Sequence, residues 1–152
     1  MMKAITWLAS VSVGAALTST AFANVPEGWT TDLEKAIKQA KEQKKSVLVE
    51  FTGSDWCPPC IAMRKNVFSK KEFVSEASKK YILVELDFPN GDEPTKKRNQ
   101  PYAEQYKIEG FPTVILLNSE GKEFTRFFAS EFPKTEDFLK HIDTALEKKD
   151  LD

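Results

Sequence analysis

The stretch Phe51-Thr52-Gly53-Ser54-Asp55-Trp56-Cys57-Pro58-Pro59-Cys60 holds both cysteines of the 152-residue chain. It leaves an apolar, β-branched run, Ser46 to Thr52 (SVLVEFT), which reads as a strand covered on both faces. The residues that follow, Cys60 to Phe68, are good or tolerated helix formers. The cysteines therefore fall at a strand-to-helix turn. Two residues between them let both sulfurs meet across one helical turn. With the helix starting near Cys57, that sulfur lies among unpaired N–H groups at the positive end of the dipole, which favours thiolate over thiol. Cys60 lies one turn deeper and is expected to be the more buried. Cys57 is thus the expected nucleophile, and Cys60 the thiol that resolves the mixed disulfide. Pro58 and Pro59 lack N–H donors, which costs little in a first helical turn and stiffens it. Trp56 is placed to shield the sulfurs and offer an apolar contact. Other readings of the pair are an inert structural disulfide, half of an intermolecular metal site, or idle thiols.

Outward from this turn the chain alternates helix and strand. Before it, Thr31-Asp32-Leu33-Glu34 fits a capping box with Thr31 as the cap, and Leu33, Ala36, Ile37 and Ala40 follow at helical spacing up to Lys44-Lys45. After it, Lys70 to Lys79 is a short helix and Tyr81 to Asp87 (YILVELD) a second strand. Phe88 to Arg98 reads as a loop rich in Pro, Gly and charge, and Pro101 to Tyr106 as a short helix. Thr113 to Leu117 is a third strand, and a turn at Asn118-Ser119-Glu120-Gly121 leads into a fourth, Glu123 to Ala129. Thr135 to Lys149 closes the chain as a helix. The strand–helix–strand spacing predicts a right-handed βαβ unit, and the tight last turn an antiparallel pair. The expected class is α/β: a central mixed sheet of about four strands with helices on both faces. Chemistry in such sheets gathers beyond the C-terminal ends of the parallel strands, where the cysteines lie.

Met1-Met2-Lys3, the apolar run Ala4 to Leu17, and Ala21-Phe22-Ala23 read as a secretory signal peptide over residues 1–23, with an uncleaved membrane anchor as the alternative. Residues 24–152 then form one exported domain, in a compartment where disulfides persist. Apolar residues make up 41%, charged residues 30%, and the net charge is -1, an ordinary globular balance that argues against a large nucleic-acid footprint. With 2 Cys and 1 His the chain cannot supply a four-ligand Cys/His zinc site. No metal and no cofactor beyond the dithiol are expected.

FTGSDWCPPC, followed some fifty residues later by Gly110-Phe111-Pro112-Thr113, resembles the thioredoxin superfamily, and within it exported bacterial thioredoxin-like proteins. The resemblance covers Trp29 to Lys149. It implies the thioredoxin fold and a cis Pro112 facing the cysteines. It also implies a Phe111 backbone that pairs with an extended substrate segment. Trp56, Pro58, Pro59, Phe111 and Thr113 become the expected substrate contacts. The family keeps a buried acid before the cysteines as a proton relay. Phe51 stands at that spacing here, and Glu50, one residue earlier, is the candidate, with a solvated Glu50 as the alternative. Asp55 is expected to be exposed and not catalytic.

Several features depart from the pattern. A first edge strand is not evident. The Phe88–Arg98 loop is long, and Lys96, Lys97 and Arg98 in it either steer acidic partners or are simply solvated. His141 is expected at the surface, and Arg64 and Lys65 pointing outward. No His sits between the cysteines, which leans toward a reductase over a strong oxidant. The implied function is a periplasmic or exported thiol–disulfide oxidoreductase. Its expected partners are proteins with disulfides or thiols and a membrane or envelope redox partner, with no nucleic acid, and the chain is expected to be a monomer. The alternative is a non-catalytic binding module with a structural Cys57–Cys60 disulfide.

Overall fold

A computed structural model describes residues 25–152; the expected leader over residues 1–23 lies outside the described residues. In chain order the elements are α1 (Leu33–Gln43), β1 (Ser46–Thr52), α2 (Pro58–Met63), a π-helical turn (Arg64–Phe68), α3 (Lys71–Ala77), β2 (Tyr81–Asp87), α4 (Glu93–Gln105), β3 (Thr113–Leu117), β4 (Glu123–Phe128), a 3-10 turn (Ala129–Glu131) and α5 (Thr135–Leu151). Among the described residues the strands form one sheet in the order β2-β1-β3-β4. β1 and β2 are parallel, from Ser46 opposite Tyr81 to Thr52 opposite Asp87. β3 runs antiparallel to β1, with Thr113 opposite Phe51, and β4 antiparallel to β3, with Phe128 opposite Thr113. This is the mixed four-stranded sheet expected of the sequence.

Every residue of β1 is buried because both sheet faces are covered. Val47, Val49 and Phe51 pack with Leu33, Ala36 and Ala40 of α1 and with Tyr102 and Ala103 of α4. Alternation sends Leu48, Glu50 and Thr52 to the other face. There Leu48 joins Met63, Val67, Phe68, Phe73, Phe138 and Ile142 from α2, the π turn, α3 and α5.

Four local expectations are corrected. Asp32 caps α1, its carboxylate accepting from the Lys35 amide at 2.9 Å; Thr31 stands one residue outside. The region expected as a loop over Phe88–Arg98 is helical from Glu93, and the helix continues through Pro101 to Gln105. Its charge and two prolines hid it, yet Asp92 caps it by accepting from the Thr95 amide and hydroxyl, and Pro94 sits in the first turn, where no N–H is missed. The edge strand not evident in the sequence survives as one residue: the Thr30 amide donates to the Leu83 carbonyl and its own carbonyl accepts from Glu85, both at 2.9 Å. His141, expected at the surface, is only partly exposed. It is half-buried, stacked on Phe132 at 4.0 Å with Phe127 at 4.4 Å, and this burial lowers its pKa.

Candidate active site

β1 ends at Thr52, and the chain turns through Gly53–Trp56 before α2 begins at Pro58. Cys57 is the N-cap of α2: its backbone is extended and its carbonyl accepts the first helical bond, from Ile61 at 3.0 Å. Pro58 and Pro59 occupy the first helical turn and are exposed. Cys57 and Cys60 are joined by a disulfide. Cys60 is the deeper of the two, 1% exposed against 4% for Cys57, and the Gly53 amide points at its Sγ at 3.5 Å.

Side chains on neighbouring loops hold this turn in place. The Asp55 carboxylate accepts from the amides of Asn90 and Gly91 at 2.9 and 3.0 Å. These amides hold its pKa below the ordinary value although the group is exposed. Asp87 at the end of β2 accepts from the Ser54 amide at 2.9 Å and from the Ser54 hydroxyl. The Trp56 indole N–H donates to the Phe88 carbonyl at 2.7 Å, and its ring meets Phe111 edge-on at 5.8 Å. Thus Trp56, 43% exposed, is braced at its polar tip while one face stays open beside the disulfide.

Gly53 makes this bracing possible. A Cβ there would lie 2.4–2.7 Å from three atoms of the Trp56 ring. Gly53→Ala is expected to turn the half-exposed indole outward and break its bond to Phe88. Stability should fall by about 1 kcal/mol, the net worth of one such bond. The indole Nε1–H resonance and a urea titration report the two effects. An unmoved resonance would show that the ring does not depend on Gly53.

Pro112 arrives from the other side of β1. Thr113 opposite Phe51 brings the preceding residue level with the start of the dithiol turn. The Phe111–Pro112 peptide is cis, as the resemblance implies. Phe111 stacks on Phe88 at 5.2 Å, the Thr113 hydroxyl donates to the Gly110 carbonyl at 2.6 Å, and the Pro112 carbonyl accepts from Ala129 at 2.9 Å. Trp56, next to Cys57 in the chain, thus ties the dithiol turn to the Phe111–Pro112 loop through its contact with Phe111, with Phe128, 48% exposed, beside Gly110.

Glu50 is 1% exposed, on the sheet face that α2 covers, and its Oε1 has no hydrogen-bond partner among the described residues. Burial pushes its carboxyl well above the usual range, and the Glu85 carboxylate adds to the rise. Glu85, 2% exposed, stands directly opposite Glu50 in the parallel register. Arg64 lies inward rather than outward as expected. Its Nη2 donates to both Glu85 oxygens at 2.5 Å, because the buried carboxylate needs a cation and the π turn carries Arg64 to it. Sequence reasoning missed Glu85. A signal was present: SVLVEFT and YILVELD both carry Glu at the fifth position of an otherwise apolar strand. Among the described residues no cluster of His, Cys, Asp and Glu is arranged to hold a metal ion, and no helix is long and apolar enough to cross a membrane.

Comparison with known proteins places this arrangement. Disulfide bond reductase DsbH of Chlamydia pneumoniae is 36% identical over 95 residues, covering 60% of this chain and 57% of that protein. Thioredoxin-related protein DsbJ of the same organism is 33% identical over 101 residues, covering 64% of this chain and 29% of that protein. These matches take in little more than half of the first relative and under a third of the second. A solved structure described as DsbH oxidoreductase superposes with a TM-score of 0.70 at 27% identity, covering 95% of both chains. The Thioredoxin-like family profile matches residues 28–119. That span is well over half of the chain and holds both cysteines, Pro112 and the first three strands; the chain belongs to the Thioredoxin-like family.

Proposed function

We propose that the protein is a thiol–disulfide oxidoreductase that reduces protein disulfides through Cys57 and Cys60. The observation that carries the reading is the Cys57–Cys60 disulfide at the β1–α2 turn, braced against the Phe111–Pro112 loop. In the reduced dithiol, the positive end of the helix dipole and the Cys60 N–H, the first-turn donor left beside two prolines, stabilise the Cys57 thiolate. The thiolate attacks one sulfur of a substrate disulfide, whose other sulfur leaves. Cys60 gives up its proton, with Glu50 as the acceptor, and attacks Cys57 Sγ. The bond to substrate breaks, the Cys57–Cys60 bond forms, and two electrons have passed to the substrate, which leaves as two thiols. Pro112 guards the site, and the Phe111 backbone, Thr113, Trp56, Pro58 and Pro59 form the surface that receives an extended segment.

The likeness to the two DsbH proteins, one a disulfide bond reductase and the other an oxidoreductase, supports the activity, and the reductase supports its direction. The absence of His between the cysteines favours the same direction. The residue 1–23 pattern supports export to the periplasm. The dithiol needs no further cofactor, and a reductase there draws electrons from a membrane or envelope dithiol donor. The chain acts as a monomer on this reading.

The reduction potential of Cys57–Cys60, measured in defined thiol/disulfide buffers with gel-shift alkylation, tests the proposal. A value near roughly −270 mV is expected, the thioredoxin end of the range. A value near about −120 mV would make the protein an oxidant, and a pair still oxidised well below about −300 mV would make it a structural lock on a binding module.

A further inference from the structure

We infer that Glu85 and Arg64 are positioning residues that divide the charge of a buried acid pair, holding the ion on Glu85 and the proton on Glu50. The inference rests on the proposed dithiol exchange and deepens it. Glu50 and Glu85 face each other across two parallel strands and are both all but fully buried. Two buried carboxylates side by side cannot both ionise unless each has a cation. Arg64 is committed to one of them, donating to both oxygens of Glu85, while Glu50 Oε1 is left without a partner among the described residues. Burial raises the Glu85 carboxyl as well, but the Arg64 guanidinium and its hydrogen bonds oppose that rise, so the charge settles on Glu85.

Arg64 follows Cys60 by four residues on a continuous helical segment, so the two share a helix face. Because Arg64 reaches the sheet at Glu85, Cys60 lies over the same sheet face one turn earlier. Among the described residues, the charged and titratable groups that face Glu50 are Glu85 and Asp87 from β2 and Arg64 from the helix, with Cys60 one turn before it; from β3 the neighbour is Val114, which carries no charge. Burial and the Glu85 charge raise the Glu50 carboxyl, and Arg64 lowers it only in part.

This division suits both halves of the cycle. When a donor thiolate attacks Cys57 Sγ of the resting disulfide, Cys60 leaves as a thiolate and takes the proton from Glu50. When the mixed disulfide with substrate is resolved, Cys60 returns that proton to the Glu50 carboxylate as it attacks Cys57. A carboxyl raised toward the thiol range exchanges a proton with sulfur more readily than an ordinary one. Glu85 sets how far it is raised.

The test is the pH dependence of mixed-disulfide resolution in the full chain, preformed with a small aromatic thiol on Cys57. In the native protein the rate falls on the acid side as Glu50 becomes protonated. In Glu85→Gln the repelling charge is gone while the Arg64 charge that lowers Glu50 remains. The midpoint of the acid limb is expected to move to lower pH by a unit or more, tenfold or more in acidity. An unmoved midpoint in folded Glu85→Gln would overturn the inference and leave Glu85–Arg64 a structural pair. In Glu50→Gln the acid limb should vanish. If it persists there, the relay reading of Glu50 fails, while exchange through the dithiol stands. A second measurement needs no change at Glu85. At about pH 6, where exposed carboxyls have ionised, the infrared band of a neutral carboxyl should be present in the native protein and absent in Glu50→Gln. A band that survives that change would place the proton on Glu85 and overturn the inference.

Discussion

Cys60→Ala is expected to lock the protein onto its substrate. Cys57 keeps its place at the N-cap of α2 and still attacks a disulfide, but nothing on the chain can then release it. In the native protein the second sulfur stands three residues away on the same helical turn. Well-oriented intramolecular groups react at effective concentrations of ~10⁵ M or more, which no millimolar external thiol approaches. Steady-state reduction of a protein disulfide such as that of insulin should therefore fall by at least ~10³-fold, about 4 kcal/mol of barrier. A covalent adduct should accumulate that reducing agent dissolves. Non-reducing gels and intact mass read it directly, and Cys57→Ala should form none. Partner capture by Cys60→Ala with no reducible bond would support the binding-module reading instead.

Phe138→Ala should produce the largest loss of stability. Phe138 of α5 is fully buried. It meets Phe68 at 5.3 Å and Phe73 at 5.4 Å, both rings nearly perpendicular to it, and Phe127 at 5.5 Å. Through Phe68 it clamps the end of the π turn that continues the dithiol helix. Truncating a buried Phe removes its transfer energy and leaves a cavity that surrounding rings cannot fill, at a cost of about 3–5 kcal/mol. That is a large share of the roughly 5–15 kcal/mol that holds such a domain together. The urea midpoint should drop at nearly constant slope, and Tm should fall on the order of 10–20 °C. A loss under about 1 kcal/mol would show that the aromatic cluster closes over the gap.

The strands were legible because their signals are local. SVLVEFT, YILVELD and TVILL are apolar on nearly every residue, as buried strands must be, and β1, β2 and β3 occupy those residues. α4 was not legible as one helix. Its sequence EPTKKRNQPYAEQ has little amphipathic contrast and an internal proline. The helix rests on an Asp92 cap and on the Asn99 amide, which donates to the Asp87 carbonyl at 2.7 Å. Pro101 marked a start to sequence reasoning, although the helix passes through it.

The candidate site divides along the same line. Cys57 and Cys60, three apart at a strand end, and Gly110-Phe111-Pro112-Thr113 are contiguous motifs, and a contiguous motif is visible in a linear chain. So is the presence of Glu50 in an apolar strand. What Glu50 does was open, since burial and solvation of a strand residue read alike until the opposite layer is known. The inward turn of Arg64, the facing of Glu50 and Glu85, the bracing of Trp56 by Phe88 and Phe111, and the ties from Asp55 to Asn90 and Gly91 join residues 21 to 55 positions apart. The fold class, the dithiol and the proline that accompanies it follow from the linear chain, because periodicity and short motifs are local properties. Which buried carboxylate receives the arginine depends on packing in three dimensions, because parallel register and helix packing bring distant charges together in a medium too apolar to leave them unpaired.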